Sequence, residues 1–133
     1  IDSHTLAMPD WRGNNRIDTL RNIVEDGRIS LMFLVPGSSI AVRVNGFAKV
    51  SVDPDLLGSF EQSGKHPRSV IVIRIGEIYA QCARALMRSH LWAAENVPDL
   101  PTLGQLIAEA SDGAMGGADY DADWLPRAKT TMW

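Results

Sequence analysis

The sequence predicts a mainly β domain of the α+β class: an antiparallel barrel with short helices at its ends. Two long stretches, residues 40–52 and 69–81, are rich in β-branched residues, and the first alternates between apolar and polar side chains. Gly46 stands midway in the first of them, where a long strand can bend or bulge to curl around a barrel. The intervening helical segments are short, without the regular strand–helix–strand alternation of a parallel sheet.

Each element follows from local pattern. Residues 5–8 are short and apolar, and Pro9 ends them as a strand ends in a turn. The chain starts at Ile1, and residues 1–8 read as the end of a hairpin whose partner strand is missing, so an N-terminal portion is expected upstream. From Asn15 onward Ile17, Leu20 and Val24 recur at helical spacing with Ile23 beside them, while Arg21, Asn22 and Glu25 take the other face. Asn14 or Asn15 is the expected N-cap, Asp18 a suitable first-turn acid, and Asp26-Gly27 the stop. Residues 29–35 are almost wholly apolar, which predicts a strand covered on both faces before Pro36-Gly37-Ser38-Ser39 turns the chain.

In IAVRVNGFAKVSV, residues 40–52, the apolar positions Ile40, Val42, Val44, Ala48, Val50 and Val52 alternate with Arg43, Asn45, Lys49 and Ser51. Asp53-Pro54 pairs an N-cap with a first-turn proline, predicting a short helix over 54–62 that buries Leu56, Leu57 and Phe60. After a loop at 63–68, the strand at 69–81 carries Ile71, Ile73, Ile75 and Tyr79 on one face. The period changes at Cys82, and CARALMRSHLW predicts one or two helical turns with Ala85 and Met87 inside. Residues 102–110 form a further helix behind the connector 97–101. Beyond Ser111 the composition shifts to Asp, Gly and Ala, predicting a mobile link into a docked or extended tail. The expected organisation is a domain over 1–112 and a C-terminal tail over 113–133.

Composition bounds the function. A chain of 133 residues suits one domain, able to bury roughly two-thirds of its unfolded surface. Hydrophobic and charged shares of 45% and 22% disfavour the disordered, collagen and membrane classes. No run approaches the ~18 apolar residues of a membrane helix, and no basic-then-apolar leader opens the chain. The single cysteine, Cys82, cannot form an internal disulfide, which fits a reducing compartment, simplest the cytoplasm. A net charge of -3 with interspersed signs gives no broad basic field for nucleic acid, so local arginine clusters carry more information.

One such cluster stands out in PDWRGNNRIDTLRNI, residues 9–23. An anion near Asn14 to Arg16 would meet the unpaired amides of a first helical turn, the positive end of its dipole, and the guanidinium forks of Arg12 and Arg16. Gly13 would let the backbone come close, while Asp18 opposes an anion unless it faces away. The competing reading is that Asn15 only caps the helix and both arginines are solvated.

That stretch, followed by a buried strand, then VRVNGFAKVS and a closing QCARALMRSHLW, resembles the pyridoxamine 5'-phosphate oxidase-like family of FMN-binding split β-barrel proteins, over roughly residues 5–92. The likeness is especially close to a bacterial subgroup known only as oxidase-related. It implies an FMN-binding split barrel and a homodimer with FMN held in a cleft between protomers. Its phosphate would be gripped just after a strand and at a helix start, a role that falls here on Arg12, Asn14, Asn15 and Arg16. The likeness also places residues 43–46, with Arg43 and Gly46, beside the isoalloxazine ring, and Arg84, Arg88 and Trp92 near the flavin or across the dimer cleft.

Some positions depart from the family pattern. Trp11 stands where many relatives carry a basic residue, and Ala41 where some place a side chain able to hydrogen-bond the ring. No convincing counterpart of the C-terminal Arg-x-His substrate clamp is present, Arg88-Ser89-His90 being a poor substitute, so oxidation of pyridoxamine phosphate itself is not expected.

Other chemistry is weakly represented. His4, His66 and His90 lack ligand-like spacing and read as surface residues. Cys82 reads as inert packing rather than a reactive thiol. Trp92 can stack on a planar ring, although a tryptophan after an amphipathic turn more often plugs a core or interface. Asp119, Asp121 and Asp123 alternate like a calcium loop but lack its glycine and final glutamate, so a solvated tail is expected. The leading expectation is an FMN-dependent oxidoreductase acting on a small molecule or electron donor, in which the flavin carries the redox chemistry and no catalytic side chain is named. The alternatives are a non-catalytic flavin- or haem-binding dimeric module and a small-anion-binding protein.

Overall fold

A computed structural model of the chain describes residues 2–13, 15–93 and 99–131. The chain falls into two compact units, Ile1–Ala93 and Ala94–Met132. The first holds strands β1 (Thr5–Pro9), β2 (Arg28–Leu34), β3 (Ala41–Ser51) and β4 (Val70–Gln81) with helices α1 (Asp18–Glu25), α2 (Pro54–Gly58) and α3 (Arg84–Arg88). The second holds α4 (Leu103–Ala110) and α5 (Gly117–Thr131).

The four strands form one antiparallel sheet in the order β1-β4-β3-β2. The long central pair runs in register from Ala41↔Gln81 to Ser51↔Val70, broken by a shift between Asn45 and Gly46. Asn45 faces Glu77 while Gly46 faces Ile75, so β4 carries one extra residue and the ladder bulges where the glycine was expected to bend it. The reason for glycine is steric, because a Cβ at Gly46 would overlap the Arg74 carbonyl.

One sheet face carries the core. Ile71 and Ile73 of β4 and Ala48 of β3 close against Ile23 of α1, with Leu6, Leu20, Ile29, Leu31 and Val50 packed around them. Ile73 is fully buried, a contribution of about 1.5–3 kcal/mol for a side chain of this size. The turn from α1 into β2 is fixed by Arg28, whose backbone and guanidinium donate to Asp26 and hold that carboxyl below its usual pKa.

Several expectations need correction. Helix α1 begins later than predicted, with Ile17 rather than an asparagine at the N-cap and no side-chain cap. Asn15 instead takes a left-handed backbone (φ 60), a conformation asparagine tolerates better than most residues. Asn14 lies outside the described residues. The helical stripe that packs is Leu20 and Ile23, which turns Val24 out to 75% exposure. Strand β2 is not covered on both faces: it is an edge strand, and Met32, Phe33 and Leu34 are all exposed.

Helix α2 stops at Gly58 and only half-buries Leu56, Leu57 and Phe60, although Asp53 caps it as expected by accepting from the Leu56 amide at 3.0 Å. In α3 the half-buried residue is Leu86, while Ala85 and Met87 are exposed. Cys82 is exposed at the strand-to-helix junction rather than packed. The three histidines are exposed, and no group of potential metal ligands occurs among the described residues.

In the second unit the expected link and tail are a helix, α5, that packs on α4. Thr102 caps α4 in a capping box with Gln105, and Asp121 of α5 accepts from both the Thr102 hydroxyl and, at 2.8 Å, the Gly104 amide. One member of the aspartate triplet thus serves as a helix-start anchor rather than as a solvated charge. Gly104 and Gly116 let the two segments meet closely, since a Cβ on either would overlap the other's backbone or side-chain neighbours. No described helix is long and apolar enough to cross a membrane.

Candidate functional site

The site is set by where β1 leaves the sheet. Its last pair is Pro9↔Val70, and the Asp10 amide continues the ladder by donating to the Ser69 carbonyl at 2.9 Å. The Ser69 hydroxyl, itself buried, donates back to the Asp10 carboxylate at 3.2 Å. This double contact brings Arg68 alongside the segment that runs through Trp11 and Arg12 to the start of α1.

The result is a groove of about 710 Å³ lined by Asp10, Trp11, Arg12, Gly13, Asn15, Arg16, Ile17, Leu20 and Arg68. Three of the four residues expected to grip a phosphate, Arg12, Asn15 and Arg16, therefore share one concave surface; the fourth, Asn14, lies outside the described residues. A Cβ on Gly13 would meet nothing within 4 Å beyond its chain neighbours, so the backbone there is open to close approach. Helix α1 begins without a side-chain cap, so its first-turn amides and dipole favour an anion, while Asp18 in the same turn opposes one. A capping side chain would satisfy one of those amides, and Ile17 at the N-cap has none to offer.

A smaller recess of about 150 Å³ adjoins the groove, lined by Asp10, Trp11, Arg12, Lys65, His66 and Arg68. His66 is oriented through Nδ1, which lies 2.8 Å from the Phe60 carbonyl. Sequence reasoning missed Arg68 and Lys65 because residues 63–68 read only as a loop. The obtainable signal was the strand that follows Arg68: with an antiparallel partner ending at Pro9 opposite Val70, Ser69 falls beside Asp10 and Arg68 next to it.

The other expected flavin contacts gather at the opposite end of the sheet. Arg43 pairs with Tyr79 across β3 and β4, and its Nε donates to Gln81 at 2.8 Å. Trp92 donates from Nε1 to the Ser38 carbonyl at 2.6 Å, which ties the end of the α3 segment to the β2–β3 turn. Arg84 and Arg88 are exposed at the two ends of α3, directly after β4. Ala41 is buried opposite Gln81, so it presents no side chain to a ligand. Tyr79 lies nine residue steps along β4 from Val70, about 30 Å at ~3.3 Å per step. Within one chain, the Arg12 and Arg43 groups do not meet.

Comparison with known proteins agrees with this architecture. The family described as Pyridoxamine 5'-phosphate oxidase matches residues 1–82. Among solved structures, Group A Streptococcus HupZ is similar in two forms, a single-substitution variant and one without that substitution, both carrying affinity tags. Each is 18% identical with a TM-score of 0.50, over 60% of this chain and, for the variant and the other form in turn, 69% and 65% of the HupZ chain. At that identity the likeness speaks to fold alone. No curated protein matches the chain. The family match covers all four strands, the groove and the bulge, and the chain belongs to the pyridoxamine 5'-phosphate oxidase family.

Proposed function

We propose that this chain binds FMN as a homodimer and acts as an FMN-dependent oxidoreductase of the cytoplasm, with its sheet forming part of a split β-barrel. The observation that carries the reading is the convergence of Arg12, Asn15, Arg16 and Arg68 on one groove at an uncapped helix start. Its volume lies within the roughly 300–1,000 Å³ of ordinary ligand pockets, and charge-assisted donors at a helix start suit a phosphate monoester. FMN, when bound, supplies the redox chemistry. The residues of the chain bind and orient it: Arg12, Arg16 and Arg68 hold the phosphate, and Asn15 shapes the loop.

Separation of the two residue groups supports the dimer. A flavin anchored at α1 could reach Arg43, Arg84, Arg88 and Trp92 only if a second copy presents them. The apolar edge around β2 and its turn, with Phe33, Val35 and Ile40 at 46%, 61% and 55% exposure, offers surface for that copy.

The test is the absorbance and mass of the purified full chain, followed by anaerobic reduction with nicotinamide and deazaflavin donors. The reading expects flavin bands at one FMN per chain in a dimer, bleached by a donor. Flavin that no donor reduces would favour a non-catalytic flavin carrier, a Soret band would favour a haem-binding module, and a colourless protein that takes up no added FMN would defeat the proposal.

A further inference from the structure

Among the described residues that line the groove, Arg12, Arg16 and Arg68 are cationic and Asp10 alone carries a carboxylate. A concavity built only to hold a phosphate gains nothing from that group, because like charges repel. Nor does it serve to neutralise its neighbours, since among the described residues no ion pair joins Asp10 to Arg12 or Arg68. It is nevertheless held at two points. The Asp10 amide donates to the Ser69 carbonyl at 2.9 Å, and the Ser69 hydroxyl donates to Oδ2 of Asp10 at 3.2 Å. Ser69 is buried and directly precedes Val70, a core residue at the start of β4, so the contact is fixed to the sheet. A carboxylate offers roughly four lone-pair sites, and the Ser69 bond is the one its oxygens accept among the described residues. Asp10 is therefore a positioned acceptor with capacity left over.

What complements a fixed acceptor beside a phosphate cradle is a donor carried on the same molecule as the phosphate. We propose that Asp10 is a specificity-determining residue of the groove: its carboxylate accepts a hydrogen bond from a ligand hydroxyl near the phosphate, so that the groove selects phosphate monoesters of polyols over bare phosphate and over esters of plain alkyl chains. This rests on reading the groove as a phosphate site and deepens it, since the ribityl phosphate of FMN is such an ester. Two opposing terms produce the selection. Repulsion from the carboxylate is felt by every phosphate, whereas the charge-assisted hydrogen bond is gained only by a ligand with the hydroxyl. Ser69 is the positioning residue, because its hydroxyl holds the carboxylate in place.

Calorimetric titration of the chain with two matched pairs of ligands tests this. The wild type should bind glycerol 3-phosphate roughly tenfold or more tighter than n-propyl phosphate, and FMN tighter by a similar factor than a flavin whose side chain is an unhydroxylated pentyl phosphate. An Asp10→Ala/Ser69→Ala variant removes both partners of the buried bond together, so neither is left unsatisfied. In it both preferences should fall to within about twofold, while orthophosphate binds about threefold or more tighter than to the wild type. That opposite movement separates recognition from mere support, because a loosened groove would weaken every ligand. Asp10→Asn keeps an acceptor for Ser69 and serves if the double variant does not fold; it too should bind orthophosphate tighter and show a reduced preference for hydroxylated esters. Equal binding of the two esters by the wild type overturns the proposal, as does weaker orthophosphate binding in the variants. A preference for glycerol 3-phosphate without any flavin binding would sustain Asp10 and remove FMN as the ligand. If the wild type binds neither phosphate, phosphate esters nor flavins, the groove reading fails and this proposal falls with it.

Discussion

Gly46→Ala is expected to destabilise the sheet unit by about 3 kcal/mol or more, enough to leave much of the protein unfolded or aggregated near 37 °C. The added Cβ would occupy the place of the Arg74 carbonyl, a backbone atom in the central strand pair that cannot rotate away. Relief would require undoing the shift between Asn45 and Gly46. A one-residue slip of that register turns the side chains beyond it to the opposite face. Gly58→Ala is the control, since its Cβ would meet open space in helix α2, where alanine is favoured by up to about 1 kcal/mol. Thermal melting of the two variants should therefore move in opposite directions. A Gly46→Ala protein melting with the wild type would show that the bulge is not where the structure puts it.

Arg16→Ala is expected to weaken FMN binding by roughly 1.5–3 kcal/mol, or about ten- to 150-fold, through loss of charge-assisted hydrogen bonds to the phosphate. The residue is exposed, so melting without ligand should change little. Riboflavin, which lacks the phosphate, should bind the variant and the wild type equally. Unchanged FMN affinity in the variant would remove Arg16 from the cradle.

How far this was legible in the sequence can be judged residue by residue. The strands of the central pair were readable because β-branched alternation is a local property, and the glycine that bulges them announced itself by interrupting the pattern. The Asp53 cap of α2 and the Thr102 start of α4 were equally local. The failures were questions of tertiary environment. An apolar run such as residues 29–35 says that burial is wanted, not which partner provides it, and in a single chain β2 is an edge. Asn15 satisfied every rule for an N-cap, yet a left-handed turn competed for it. Arg68 joined the site through the Pro9↔Val70 register, a long-range pairing to which loop composition is blind. The tail was read from its Asp, Gly and Ala content, whereas Gly104, Gly116 and Asp121 make a close helix contact there.

The central claim is that the uncapped start of α1 and its arginines recognise the phosphate of a flavin. Parallel titration of the chain with FMN and riboflavin isolates that one group, because the two ligands differ in nothing else. The account predicts that FMN binds at least about a hundredfold tighter, the sum of two or more charge-assisted contacts. Equal affinities would contradict it, leaving the groove at Arg12 and Arg16 without the ligand assigned to it.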